Sequence, residues 1–251
     1  MYRSLVLSLL MFKTVFCLSI SHHDASIIAD RIWANECNKS IDGLTTWNKG
    51  ENFPSLGIGH FIWYKNGEEE KFEETFPSLI AYMTSKGAHI PDWLKNSPSC
   101  PWKSREDFLS KFEERETKQL RQFLFETRHL QAAFIANRLE KTFHTILEKL
   151  SGKDRKKISD LFYSLSESPK GLYALIDYLN FKGSGINPNE TYQGKGWGLY
   201  QVLTEMKNDS LSEFVRSGKK VLSQRIENSP TERNEKRWLK GWCNRLDTYL
   251  K

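Results

Sequence analysis

The chain has 251 residues, 39% hydrophobic and 13% aromatic, which excludes a disordered polypeptide and is enough for one sizeable core. Its 37 basic and 31 acidic residues leave a net charge of +6, with no basic stripe in a recognisable binding module, which argues against nucleic acid as a partner. No CxxC pair or histidine cluster has zinc spacing, so no metal and no other cofactor is expected.

Residues 1–21, MYRSLVLSLLMFKTVFCLSIS, join a basic start to an apolar run with small residues near its end. That is the pattern of a secretory signal cleaved after Ser19 or Ser21. Lys13 interrupts the run, which is short for a membrane span, and Phe16 is too bulky for a lipid-modified Cys17. The expectation is a secreted or periplasmic protein with no stable membrane insertion after signal cleavage. Loss of Arg3 and Lys13 lowers its net charge from +6 to +4, suited to an anionic wall polymer. Cys37, Cys100 and Cys243 remain; an odd number in an oxidising compartment predicts one disulfide and one free thiol, with Cys37 the favoured bridge.

Asp24 to Glu36 reads as a helix capped by Asp24, with Ile28 and Ile32 one turn apart on one face. Glu36 is next in that series. Partial burial and the negative end of the helix would both favour its protonated form, as a general acid requires. Ser55 to Tyr64 reads as a strand leading to an Asn66-Gly67 hairpin turn, and Gly57 and Gly59 mark a face that another group approaches closely. Residues 68–103 look irregular, with an acidic run at Glu68-Glu69-Glu70 and prolines at 77, 91, 98 and 101.

From Ser104, which with Asp107 forms a capping-box-like start, the pattern turns to long helices. Phe108, Phe112, Leu120 and Leu124, then Leu130 to Leu150, Ile158 to Leu165, and Leu172, Leu175, Ile176 and Leu179 form apolar stripes that read as core. Residues 180–206 carry five glycines and read as a long functional loop. In it Tyr192, Gln193 and Gln201 are expected to meet a polysaccharide, and Trp197 to stack on a sugar face or anchor the core. A capped helix begins near Ser210, and a last helix carries Arg233, Arg237, Trp238, Trp242 and Arg245.

Glu36 at a helix end, followed by Ser55-Leu56-Gly57-Ile58-Gly59-His60, resembles the phage-type lysozymes of the lysozyme-like superfamily. The resemblance implies a mainly α (α+β) fold, a helical-bundle lobe with a small antiparallel β-hairpin sheet after the first helix. It implies one domain over 22–251, with a catalytic helix and hairpin region at 22–103, a helical core at 104–180, and the glycine-rich loop and C-terminal helices at 181–251. It also implies a monomer that cleaves the glycan strand of peptidoglycan. Glu36 would be the general acid, Ser55 the hydroxyl that helps hold the attacking water, and His60 a structural residue.

The family's second carboxylate lies six residues before the hydroxyl position, where this chain has Lys49, with Asn48 beside it. Three readings stay open: Glu51 is the base, Asn48 orients a water at the substrate, or one carboxylate suffices, as in lytic transglycosylases. The stretch Gly198-Leu199-Tyr200-Gln201 is similar to a Gly-Leu-Met-Gln motif of that last group. Chitin or chitosan as substrate, or a catalytically inactive glycan- or protein-binding protein of the same fold, are the alternatives.

Overall fold

The computed structural model describes residue 18, residues 20–68 and residues 72–251. The expected signal therefore lies largely outside the described residues, as do Glu69 and Glu70 of the acidic run. The chain is mainly helical, with one small antiparallel sheet.

Helix α1 spans His22–Cys37. Its cap is Ser21 and not Asp24: Ser21 Oγ accepts from the Asp24 backbone N–H at 3.0 Å and donates to Asp24 Oδ2 at 2.7 Å. A residue at the cap must be extended, as Ser21 is, whereas Asp24 already lies in the first turn. Ile28 and Ile32 are buried on one face, as their spacing predicts. The helix ends where Asn38 turns left-handed, at a φ of 50°.

Strands β1 (Thr45–Thr46), β2 (Ser55–Leu56) and β3 (Phe61–Ile62) pair in the order β1-β2-β3. The single strand expected from Ser55 to Tyr64 is thus two short strands, and Gly57 to His60 is the turn between them. The cause is local: Gly57 has a φ of +69° and His60 one of 49°, and left-handed residues cannot continue a strand.

The stretch after the sheet is more ordered than its prolines suggest. It carries α2 (Phe76–Ser85) and α3 (Asp92–Lys95). Pro77 sits in the first turn of α2, where its missing N–H costs nothing, and Pro91 precedes α3 as its cap. Next come α4 (Arg105–Ser110), α5 (Arg115–Glu126), α6 (Arg128–Glu148), α7 (Gly152–Ser166) and α8 (Pro169–Lys182). Ser104 caps α4 as expected, its Oγ accepting from the Asp107 N–H at 3.2 Å.

After the glycine-rich loop follow α9 (Leu199–Glu205), α10 (Leu211–Asn228) and α11 (Leu239–Asp247). Ser210 caps α10. The single final helix expected over Arg233 to Arg245 is instead two 3-10 turns followed by α11, broken at Asn234, whose φ of 45° is left-handed.

Helix α1 packs against α6 and α8, and the buried faces of all three belong to one continuous apolar core. No helix among the described residues is long and apolar enough to cross a membrane. The expected disulfide is absent: Cys37, Cys100 and Cys243 are all free. Cys37 is buried against Gly43, and burial, then the charge of Glu36, push its thiol up to about 12. Cys100 is buried with its Sγ 3.7 Å from the Trp102 carbonyl.

Candidate functional site

Helix α1 delivers Glu36 to a cavity of about 350 Å³ lined by Ile58, Gly59, His60, Asn180, Phe181 and Arg245. Ile58 to His60 come from the β2–β3 turn, and that turn is held from below. Gln131 of α6 is fully buried; its Oε1 accepts from the Ile58 N–H at 2.8 Å and its Nε2 donates to the Leu124 carbonyl at 2.6 Å. Gly57 has to be glycine here, because a Cβ would collide with Gln131 Oε1. Gly59 meets the same limit from Phe61, whose Cζ would lie 2.6 Å from an added Cβ. The glycines thus serve the packing of the turn, and the turn in turn shapes one wall of the cavity.

The opposite wall comes from the end of α8 and from α11. Arg245 Nη2 donates to Glu36 Oε1 at 2.8 Å and to Asp177 Oδ1 at 2.7 Å, and its Nε donates to Asp177 Oδ2 at 2.9 Å. Tyr249 Oη donates to Asp177 Oδ2 at 2.5 Å. Asp177 is only 5% exposed and is held by two nitrogens of Arg245, while Glu36 receives a bond from Nη2 alone and is 30% exposed. Burial opposes the charge on Arg245, but Asp177 and Glu36 outweigh it and keep the guanidinium protonated. Of the two acids, Glu36 is the one that faces open space. His60 Nδ1 lies 3.9 Å from Glu36 Oε2, the oxygen that Arg245 does not bond. Asn35 donates to the Tyr173 hydroxyl, which pins the residue before Glu36 to α8.

These surroundings differ from the apolar setting expected for Glu36, which faces a cavity through an ion-paired carboxyl group. Arg245 was legible only as one of several arginines near the C-terminus. Asp177 lies inside the apolar stripe of α8, and a lone acid between Ile176 and Tyr178 is a signal in its own right, since buried carboxylates need partners.

The other predicted residues lie elsewhere. Ser55 is buried in β2, where its carbonyl accepts from Thr46 Oγ1 at 3.2 Å. Glu51 accepts from Asn48 Nδ2 at 3.1 Å and lines a separate cavity of about 490 Å³ with Trp47, Lys49, Lys65, Lys103 and Arg105. None of its lining residues borders the Glu36 cavity.

In the glycine-rich loop, Tyr192 Oη donates to Glu235 Oε1 at 2.8 Å and its ring packs on Trp197 at 4.6 Å. Trp197 is buried, with the Arg225 guanidinium 4.0 Å above its ring, so it is a core anchor. Gln201 accepts from the Gly198 N–H and donates to the Gly185 carbonyl, both at 2.9 Å. Gln193 is exposed and bonds the Asn228 carbonyl at 3.4 Å. The Tyr192-to-Gln201 stretch therefore spends its polar groups on the chain itself. Only the root of the loop reaches the cleft: Asn180 borders the Glu36 cavity, and with Gly59 it also borders an adjoining one of about 280 Å³ that includes Arg138, Thr142 and Ser184. Comparisons with protein-family models, curated proteins and solved structures found no match to this chain.

Proposed function

We propose that this protein cleaves the glycan strand of peptidoglycan, with Glu36 as general acid. The observation that carries this reading is the presentation of Glu36: a carboxyl group at a helix end, open to a cleft, beside the Gly57–His60 turn that resembles phage-type lysozymes. The cavity at Glu36 and the adjoining one share Gly59 and Asn180, which makes a groove suited to an extended polymer. Glu36 would donate its proton to the glycosidic oxygen as the bond to the sugar breaks.

Among the three routes left open by Lys49, the single-carboxylate route has the most support. Glu51 lines a different cavity, and Asp177 is buried and committed to Arg245 and Tyr249. On this route a hydroxyl of the substrate sugar attacks its own anomeric carbon and its proton passes to Glu36, leaving an anhydro end.

Digestion of purified peptidoglycan, with the product ends identified by mass, tests both parts of the reading. Anhydro ends are the expected result, while reducing ends would assign hydrolysis. Glu36→Gln should lower turnover by about 10²–10⁴-fold with the fold intact by circular dichroism. Wild-type turnover in that variant would remove Glu36 from the chemistry. Cleavage of chitin or chitosan in place of peptidoglycan would move the substrate, and binding without cleavage of any of the three would make the protein a glycan-binding one.

A further inference from the structure

The C-terminal residue of α8, Lys182, has unusual surroundings. Its Nζ lies 3.5 Å from the centre of the Trp242 ring and 4.0 Å from that of Phe181. The Arg225 guanidinium lies 5.2 Å from the centre of the same Trp242 ring, and that of Arg245 lies 4.6 Å from the centre of Phe181. Both arginines are satisfied: Arg225 makes two bonds to Glu235, at 2.7 and 2.9 Å, and Arg245 is held by Asp177 and Glu36. Lys182 is the exception. Among the described residues no carboxylate or carbonyl hydrogen-bonds its ammonium group, although it is partly buried between two cations. Burial, then Arg225, push its pKa down, Glu235 acts against them and Arg245 adds to them, and the result is about 7.

A desolvated ammonium with aromatic walls, neighbouring arginines and no hydrogen-bonded anion is an incomplete ion pair. An anion placed there would meet the unbonded Lys182 ammonium directly, with the arginines behind it balanced by Glu235, Asp177 and Glu36, and Trp242 offers an apolar face beside it. The corner and the cleft have Phe181 in common: its ring lines the Glu36 cavity with Arg245 4.6 Å from its centre, and Lys182 Nζ lies 4.0 Å from the same centre.

We propose that the corner formed by Lys182, Trp242 and Arg225 binds a carboxylate carried by the glycan, so that the protein selects acidic over neutral glycans. The proposal rests on the glycan-cleaving reading of the Glu36 cleft and deepens it.

The test uses the full chain carrying Glu36→Gln, so that binding is read without cleavage. Two probes are compared by calorimetry: a peptidoglycan glycan fragment freed of its peptides, with its lactyl carboxylates exposed, and the same fragment with those carboxylates converted to neutral methylamides. The acidic probe should bind about tenfold more tightly, as for one charge-assisted hydrogen bond in a partly buried site. Adding Lys182→Met, which keeps the apolar stem, should abolish that preference while the neutral probe binds as before. Adding Lys182→Arg should retain it, which separates lost charge from lost folding. Equal affinity for the two probes, an undiminished preference in Lys182→Met, or no binding of either probe overturns the proposal. Cleavage by the Glu36-intact chain is scored separately. Cleavage with no carboxylate preference leaves the enzyme reading standing and removes the acidic site. A preference dependent on Lys182 without cleavage does the reverse.

Discussion

Gln131 and Gln201 do the same thing in two different places. Each is a helix-borne glutamine whose amide accepts from a backbone N–H of a glycine-bearing turn and donates to a carbonyl further off. Each sits where a Cβ would otherwise go: Gln131 Oε1 fills the space beside Gly57, and Gln201 fills the space beside Gly185 and Gly196. Yet the turn held by Gln131 forms a wall of the Glu36 cavity, whereas the loop held by Gln201 folds onto itself and onto Tyr178, whose hydroxyl donates to the Trp197 carbonyl at 3.0 Å. Glycine density marks a close approach. It does not say whether the approaching group is a ligand or the protein's own side chain.

The contrast breaks most easily at Gln131. Gln131→Ala leaves the Ile58 N–H and the Leu124 carbonyl unsatisfied in the core, and should cost about 2–5 kcal/mol in chemical denaturation. Turnover per folded molecule should fall as well, because Gly59 and His60 lose their support. Gln201→Ala should cost less, about 1–2 kcal/mol, since its partners are only partly buried, and should leave turnover per folded molecule intact. A turnover loss as deep as that of Gln131→Ala would bring the loop back into contact with the polysaccharide.

Lys182, at the root of that loop, sharpens the comparison through pH. The free side chain titrates near 10.4, roughly, but Lys182 does so at about 7 in the folded chain. Between those values the unfolded chain holds the extra proton, so this group makes stability rise with pH across that window. Lys182→Met should therefore raise the melting temperature by about 2–4 °C at and below pH 7, and the gain should fade as pH approaches 10. A gain that does not vary with pH would mean that packing, not charge, is responsible. The smallest effect belongs to Gln193: its side chain is exposed, and Gln193→Ala should change stability by less than about 0.5 kcal/mol and leave turnover unaltered.

What was legible in the sequence follows from the range of the forces involved. The caps at Ser104 and Ser210, the Ile28/Ile32 face and the position of Glu36 at a helix end depend on neighbours within a turn or two. The turn at Gly57 to His60 has the sequence pattern of a strand, because alternation of apolar residues continues through it while His60 adopts a backbone angle that its residue type does not announce. The break at Asn234 is hidden in the same way. Asp177 and Arg245 were beyond local reasoning altogether. Either residue alone is ordinary, and only their meeting across α8 and α11 makes a charged wall for the cleft.

The bond between Arg245 and Glu36 joins positions separated by 209 residues. During synthesis the first helix emerges long before the residue that completes its carboxyl group's surroundings. Without α11 the cleft has no finished wall, and Asp177 lacks the cation that balances it within the core. The charged wall of the cleft is therefore completed only when α11 docks, in the step that ties Arg245 to helix α1.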